Sequence, residues 1–247
     1  MSNKARIKAE QTKDRVNVHD DGCILLFAKS PVKGRVKTRL AAEIGADSAA
    51  ALYKCFVEDV LDLVEGIGIS LRLLFYPPDA KADFQDWLGE RDFFRPQTGD
   101  DLGERMKNAF ESAFAEGFSK GVAIGSDLPD LPGDFLRRAF AELESHEAVL
   151  GPSSDGGYYL IGFSRESFLP EAFENISWSR DGVFEQTSHL LKRHRRSTFL
   201  LPIWHDVDTA ADMEALLLRM RGTPFEKSRT YRRLMCNGAR SKPNVRL

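Results

Sequence analysis

Short apolar runs alternate with amphipathic helical patterns between residues 21 and 222, and no other feature restricts the possible folds as strongly. The apolar runs predict strands at 24–27, 69–76, 122–125, 148–150, 158–163 and 197–201. The helical patterns predict two helices within 36–65, separated near Gly45, and further helices at 80–88, 102–118, 133–143, 183–191 and 209–220. Strands that alternate with helices form a largely parallel sheet covered on both faces, so we predict an α/β fold.

Composition limits both the number of domains and the kinds of partner. The 247 residues, of which 42% are hydrophobic, suffice for one full core. We therefore predict a single domain over 21–222, a flexible N-terminal arm at 1–20 and a partly ordered basic tail at 223–247. A net charge of -2 argues against a nucleic-acid partner, since nucleic-acid-binding domains are strongly basic. No apolar segment approaches the length of a membrane span, so no membrane partner is expected.

Cysteine usage indicates the cellular compartment. The three cysteines, Cys23, Cys55 and Cys236, show neither a Cys-x-x-Cys spacing nor an even disulfide framework. Cys23 and Cys55 lie in apolar runs, which favours buried, reduced thiols. We therefore expect a cytoplasmic protein.

A basic loop follows the first predicted strand, and ligands of such sheets bind beyond the carboxyl ends of the strands. Five cations lie between residues 29 and 39, together with Pro31 and Gly34. Lysine and arginine supply the countercharge that a polyphosphate needs. The spacing is neither that of a Walker loop nor Gly-x-Gly-x-x-Gly. A solvated basic surface loop is the alternative, and the loop alone does not decide between them.

Two aspartates stand where a metal ion could bind. Asp127 follows the apolar run 122–125, and Asp208 precedes the last predicted helix. Mg²⁺ prefers one or two carboxylates together with substrate phosphates. Asp127 could instead cap a helix or form an Asx turn, although Asp130 is also placed to cap the helix at 133–143. Either Asp208 or Thr209 is expected to cap the last helix.

Two further segments are candidates for ligand contacts. Asp155-Gly156-Gly157 connects two apolar strands and is typical of a hairpin turn, but the Gly-Pro-Ser-Ser before it makes the connection longer than a tight turn needs. Arg105 lies in the first turn of a predicted helix, where a cation is unfavourable unless an anion lies nearby. Gly103 in the same turn also lowers helix stability, so this turn could contact a ligand.

These segments, taken in chain order, resemble one known family. The motifs are Lys-x-Pro-x-x-Gly-x-Val-Lys-Thr-Arg-Leu at 29–40, Asp-Leu-Gly-Glu-Arg-Met at 101–106, Gly-Ser-Asp-Leu-Pro-Asp-Leu at 125–131, Asp-Gly-Gly-Tyr-Tyr-Leu-Ile-Gly at 155–162, Trp-Ser at 178–179 and Asp-Val-Asp-Thr at 206–209. They resemble the DUF2064 group of GT-A-like nucleotide-diphospho-sugar transferases, glycosyltransferases associated with arsenosugar biosynthesis in bacteria. The resemblance covers about residues 22–220. More distantly, the chain is similar to the molybdenum-cofactor and 2-phospholactate guanylyltransferases and to the CMP-Kdo synthetases.

The resemblance implies a three-layer α/β/α fold with a mostly parallel mixed sheet, and it implies roles for particular residues. Residues of the basic loop would hold the nucleotide and its diphosphate: Lys29, Gly34, Lys37 and Arg39. Asp127 and Asp208 would bind Mg²⁺ or Mn²⁺. Asp155, Gly156 and Gly157 would face the sugar or the acceptor. Apart from the resemblance, Arg105 is a further candidate for nucleotide binding because of its place in the helix, and Asp155 is the candidate base because the acceptor hydroxyl must lose its proton to a carboxylate. The segment 126–130 lacks the Asp-x-Asp that GT-A enzymes carry at this place, so coordination by the single aspartate Asp127 is expected there, as in the guanylyltransferases.

Three functions remain open at this stage. The first is a glycosyltransferase that moves a sugar from a nucleotide-diphosphate sugar to a small acceptor. The second is a nucleotidyltransferase that releases pyrophosphate from an NTP, since both reactions develop charge on a metal-bound phosphate group. The third is a non-catalytic nucleotide-binding module. The base, the sugar, the acceptor and the oligomeric state are not determined by the sequence.

Overall fold

A seven-stranded mixed sheet forms the centre of the protein in a computed structural model, which describes residues 21–178 and 182–240. The strands are β1 (Gly22–Lys29), β2 (Ser70–Tyr76), β3 (Phe94–Pro96), β4 (Lys120–Gly125), β5 (Ala148–Pro152), β6 (Tyr158–Ser164) and β7 (Thr198–Leu200). Their order across the sheet is β3-β2-β1-β4-β6-β5-β7. Only β6 runs antiparallel to its neighbours, β4 and β5.

Helices cover both faces of the sheet within the described ranges. They are α1 (Thr38–Ile44), α2 (Ala46–Ile67), α3 (Lys81–Leu88), α4 (Leu102–Ala115), α5 (Gly133–Glu142), α6 (Val183–Arg193), α7 (Ala210–Arg219) and α8 (Arg229–Arg240). Two short 3-10 helices lie at Pro170–Phe173 and Pro224–Lys227. The predicted three-layer α/β/α architecture with a mostly parallel mixed sheet is confirmed.

The residues of β1 alternate between two hydrophobic cores. Ile24 and Leu26 belong to the core beneath α2, α5 and α7, whereas Cys23 and Leu25 belong to the core beneath α4 and α6. Successive side chains of a strand point to opposite faces, so a strand that is apolar throughout must be buried on both sides. This double burial fixes β1 at the middle of the sheet and places its carboxyl end, with the basic loop, at the centre of one sheet edge.

Four of the elements in the described ranges were not predicted from sequence: the two 3-10 helices, β3 and α8. The strand β3 has three residues and contains a charged residue and a proline, so it shows no usable pattern. The helix α8 lies in the predicted basic tail and packs on α2, where Asp59 accepts backbone hydrogen bonds from Arg229 and Thr230, each at 2.9 Å. The flexible arm predicted at 1–20 and residues 241–247 lie outside the described residues. None of the helices within the described residues is both long and apolar enough to cross a membrane.

The prediction that Asp130 caps the helix at 133–143 is wrong. Pro132 occupies the position before α5, and no side chain caps that helix end. The Asp130 carboxylate instead accepts hydrogen bonds from Arg219 on α7, at 2.7 Å from Nε and 3.0 Å from an Nη atom. This ion pair links the loop after β4 to α7.

Candidate active site

The ends of β4 and β5 are joined by the extended segment that precedes α7. The backbone N–H of Trp204 donates to Pro152 at 3.1 Å, and Ser154 donates to the Trp204 carbonyl at 3.1 Å. Further along, Val207 donates to the Asp127 carbonyl at 3.0 Å. Backbone hydrogen bonds therefore bring the segment that carries Asp208 against the strand end that carries Asp127.

The Asp208 side chain does not cap α7, so it can face Asp127 and the basic loop. Thr209 caps α7, because its hydroxyl accepts from the backbone of Asp212 while the Asp212 carboxylate accepts from the Thr209 backbone. The reciprocal bonds form a capping box. Of the two residues expected to cap this helix, Thr209 does so, and the Asp208 carboxylate turns toward the basic loop.

Lys37 joins the two aspartates. Its ammonium lies 2.8 Å from Asp127 Oδ1 and 2.7 Å from Asp208 Oδ1, and its side chain is only 3% exposed. Burial disfavours the charged form, but the two carboxylates outweigh it and hold the pKa of Lys37 above its usual range. The site therefore contains a buried cation between two half-exposed carboxylates.

The other residues of the basic loop are more exposed. Arg39 reaches Asp208 at 3.7 Å with 76% of its side chain exposed. Gly34 has a φ of 75°, which explains a glycine in this turn. Lys29 ends β1 with its side chain exposed, while its backbone N–H donates to the Tyr53 hydroxyl at 2.8 Å. The structure brings Lys37 and Arg39 to the aspartates and leaves Lys29 and Gly34 at the exposed rim.

The hairpin between β5 and β6 places Asp155 at the same edge. Its Oδ1 accepts from the Gly157 backbone at 3.0 Å and from the Ser153 hydroxyl. Gly156 has a φ of 87°, so the Asp-Gly-Gly sequence does form the turn. Asp155 is exposed, and its negative charge contributes to the potential at Asp206. Asp155 thus lies near the aspartate pair without contacting Lys37.

Arg105 lies at the carboxyl end of β2. Its guanidinium is 4.1 Å from the centre of the Tyr76 ring and donates to the carbonyls of Gly99 and Asp100. The Tyr76 ring and the two carbonyls therefore offset the unfavourable interaction of the Arg105 charge with the helix dipole. Gly103 has a packing reason, because a Cβ atom there would lie 2.2 Å from the Phe173 carbonyl oxygen. A ligand contact by Arg105 stays a prediction.

Asp206 was not selected from sequence. Burial raises its pKa to about 7, and the charges of Asp127 and Asp155 add to the effect. Residues two apart in an extended segment face the same side, so Asp206 and Asp208 both point away from the fully buried Val207. This two-residue period is the sequence signal that could have placed Asp206 beside Asp208 at the site.

A hydrogen bond between Tyr53 and Ser126 also lies at the site, and no sequence pattern predicts it. The Tyr53 hydroxyl lies 2.9 Å from the Ser126 hydroxyl and accepts from the Lys29 backbone at 2.8 Å. Both side chains are buried, and burial raises the pKa of Tyr53 well above its usual range. This contact fixes the ends of β1 and β4 relative to α2, so it holds the basic loop opposite Asp127.

The donor set at this edge suits a divalent cation that also binds a ligand. The oxygens Asp127 Oδ1 and Asp208 Oδ1 face the same ammonium, at 2.8 and 2.7 Å, so both carboxylates are directed at one cation position. Within the described ranges, no three His, Cys, Asp or Glu side chains are grouped to hold a metal on their own. Two carboxylates plus phosphate oxygens match the usual coordination of Mg²⁺. The residues present therefore fit a metal completed by a substrate.

Comparison with known proteins identifies the family. The family model DUF2064, described as uncharacterized protein conserved in bacteria, matches residues 61–180. A crystal structure from Desulfovibrio desulfuricans G20, assigned provisionally as a nucleotide-diphospho-sugar transferase, is 41% identical in sequence. That match covers 89% of this chain and 96% of the other, with a TM-score of 0.86. The chain belongs to the DUF2064 family.

More distant structures share the fold alone. A CMP:2-keto-3-deoxy-manno-octonic acid synthetase complexed with CTP is 10% identical, with 81% of this chain and 98% of that chain covered and a TM-score of 0.51. A 4-diphosphocytidyl-2C-methyl-D-erythritol synthase from Anaerococcus prevotii DSM 20548 is 12% identical, with 82% and 99% covered and a TM-score of 0.53. No functionally curated protein matches the chain. The predicted family and fold are confirmed, and the provisional assignment of the 41% identical relative supports the predicted enzyme class, a nucleotide-dependent transferase.

Proposed function

We propose that this DUF2064 protein is a divalent-metal-dependent glycosyltransferase that moves a sugar from a nucleotide-diphosphate sugar to a small acceptor. The observation that carries the proposal is the meeting of Asp127, Asp208 and Lys37 at the carboxyl edge of the parallel strands. Carboxylates for a cation and cations for phosphates are the two requirements of diphosphate binding, and here they are in contact. The provisional assignment of the relative from D. desulfuricans supports the same substrate class.

The proposed chemistry breaks the bond between the sugar C1 and the diphosphate oxygen and forms a bond from C1 to the acceptor oxygen. Negative charge develops on the leaving diphosphate. Lys37 and Arg39 lie where they can bind those oxygens, with Lys29 at the rim. Bound Mg²⁺ or Mn²⁺, held by Asp127 and Asp208, would neutralise part of the same charge.

The acceptor hydroxyl must lose a proton, and two carboxylates are placed to receive it. Asp155 is exposed, and its Oδ1 is fixed by hydrogen bonds from Gly157 and Ser153, which directs the remaining oxygen outward. Asp206 has a pKa of about 7, raised mainly by burial, which suits a group that exchanges protons near neutral pH. We assign the role to Asp155, because its exposure leaves room for an acceptor. Asp155→Asn should then lower kcat more than Asp206→Asn.

A product assay tests the proposal. Sugar nucleotides are incubated with the protein, Mn²⁺ and a panel of small acceptors, and release of a nucleoside diphosphate is measured. We expect Asp127→Asn to lower the rate by about 100-fold or more. Asp134→Asn is the matched control, because Asp134 has a side chain that is 90% exposed on α5. Equal rates in the two variants would contradict the assigned role of Asp127.

Nucleotidyl transfer is the second candidate, and the sequence around Asp127 favours it. The segment Ser126-Asp127-Leu128 carries one aspartate, whereas GT-A glycosyltransferases carry two, as Asp-x-Asp, at this place. The same assay distinguishes the two reactions, because a nucleotidyltransferase would release pyrophosphate from an NTP instead of a nucleoside diphosphate from a sugar nucleotide.

A non-catalytic nucleotide-binding module would give neither product. Calorimetry would then find the same nucleotide affinity for Asp127→Asn with and without Mg²⁺.

A further inference from the structure

We propose that Lys37 is an internal counter-cation that exchanges with the metal. Its ammonium neutralises Asp127 and Asp208 while no metal is bound, and it moves to the substrate phosphates when a divalent cation takes its place. This inference rests on the proposed metal-dependent function and adds to it a coupling between metal binding and nucleotide binding. That coupling passes through one side chain.

Lys37 differs from its neighbours in the basic loop. The side chains of Lys33 and Arg39 are 69% and 76% exposed, as expected for cations that wait for a ligand in solvent. The Lys37 side chain is 3% exposed, touches both aspartates and lies 5.6 Å from the centre of the Phe56 ring. Its ammonium therefore occupies a position that is shaped and charged for a cation.

The backbone at Lys37 is also unusual. Its φ of 47° and ψ of 48° lie in the left-handed region, which a residue with a Cβ atom enters only at a cost in free energy. The conformation directs the side chain inward, beneath the start of α1. Such strain persists where surrounding contacts maintain it, and the two ion pairs are the strongest side-chain contacts of Lys37. Losing both pairs would free the loop to rearrange.

The carboxylates are open to solvent and the ammonium is not. The side chains of Asp127 and Asp208 are 42% and 37% exposed, so an ion from solution can reach them. A dication and the ammonium cannot both hold the same two oxygens, because like charges at that distance repel strongly. A displaced ammonium cannot stay buried without a counter-charge. Phosphate oxygens of the substrate are the new partners that the proposed function supplies.

Exchange makes metal and nucleotide binding mutually dependent. Metal alone must displace Lys37 without giving it a new partner, so the aspartates bind metal weakly in the absence of a phosphate ligand. A nucleotide diphosphate accepts the displaced ammonium and thereby favours the metal. By linkage, the metal must favour the nucleotide by the same factor.

The first test measures the affinity for Mn²⁺ alone, by electron paramagnetic resonance of the free ion and without nucleotide. We expect Lys37→Met to bind Mn²⁺ about tenfold or more tightly than the wild type, which is within the usual range of coupling between sites. Lys33→Met removes a cation from the same loop and should change the affinity by no more than about twofold. Equal or weaker Mn²⁺ binding by Lys37→Met would overturn the exchange. Failure of every form of the protein to bind Mn²⁺, even with nucleoside diphosphates present, would instead contradict the metal in the proposed function.

The second test follows the wild type through an Mg²⁺ titration and uses the Lys37→Met variant only to assign the signal. The ammonium protons of a buried, paired lysine exchange slowly with water and can be observed by ¹⁵N-detected correlation of the lysine Nζ group. We expect a slowly exchanging lysine signal in metal-free protein that is absent from Lys37→Met and that disappears when Mg²⁺ saturates the site, whereas a signal from the paired Lys120 should remain. Persistence of that signal at saturating Mg²⁺ would show that Lys37 stays on the aspartates, and the proposal would be wrong.

Discussion

Replacing Arg219 with methionine should destabilise the protein strongly, because it leaves a buried carboxylate without its partner. The Asp130 side chain is fully buried, and both of its oxygens accept hydrogen bonds from Arg219, at 2.7 and 3.0 Å. Removing one partner of a buried ion pair costs about 3–5 kcal/mol. The Arg219 side chain is 21% exposed, so we expect a loss near the lower end, about 3 kcal/mol.

Equilibrium urea unfolding measures this loss as a change in the free energy of unfolding. The double variant Asp130→Asn, Arg219→Met should recover much of the stability, since neither charge is then left alone. Arg137→Met is the control, because its ion pair with Asp134 is largely exposed and should contribute less than about 1 kcal/mol. If Arg219→Met costs no more than Arg137→Met, the Asp130 carboxylate is effectively hydrated and the argument fails.

Three further predictions concern packing and pH. Gly103→Ala should lower the free energy of unfolding by about 2 kcal/mol, because its methyl group would meet the Phe173 carbonyl at 2.2 Å. Gly66→Ala has open space around the new methyl and should raise it by about 0.5 kcal/mol in the same denaturation assay. Partial burial opposes ionisation of Glu116, but hydrogen bonds from two arginines hold its pKa below its usual range. The resulting stabilisation is present above about pH 4.5 and is lost as pH falls through the lowered pKa, so Glu116→Gln should destabilise more at pH 7 than at pH 3. An equal effect at both pH values would contradict this.

The fold could be predicted wherever burial leaves a periodic pattern. The strand β1 is apolar throughout because both of its faces are buried, and α4 shows a helical period because only one of its faces is. The strand β3 is three residues long, which is too short for any period. The helix α8 is rich in cations and attaches to α2 through the Asp59 carboxylate, so tertiary contacts rather than an apolar stripe fix its start.

The candidate site could be predicted only in part. Asp127 and Asp208 were found because each follows or precedes a recognisable element at the expected sheet edge. The inward turn of Lys37 was not, since a left-handed residue at position 37 has no signature among the five cations of its loop. Asp130 was misassigned because a residue near a helix start can serve either as a cap or in an ion pair, and Arg219 is 89 residues away.

Asp206, at the same sheet edge, lowers the stability of the free protein as the pH rises toward neutral. Asp206 holds its proton up to a pH of about 7, mainly because of burial and then because of neighbouring negative charges. An unfolded aspartate is ionised well below that pH, so the folded state loses relative stability as pH rises from about 4 toward 7. Backbone hydrogen bonds, such as that from Val207 to Asp127, hold the segment that carries Asp206 against the end of β4. A buried carboxylate whose charge the fold disfavours, beside the two carboxylates that contact Lys37, is typical of a functional site.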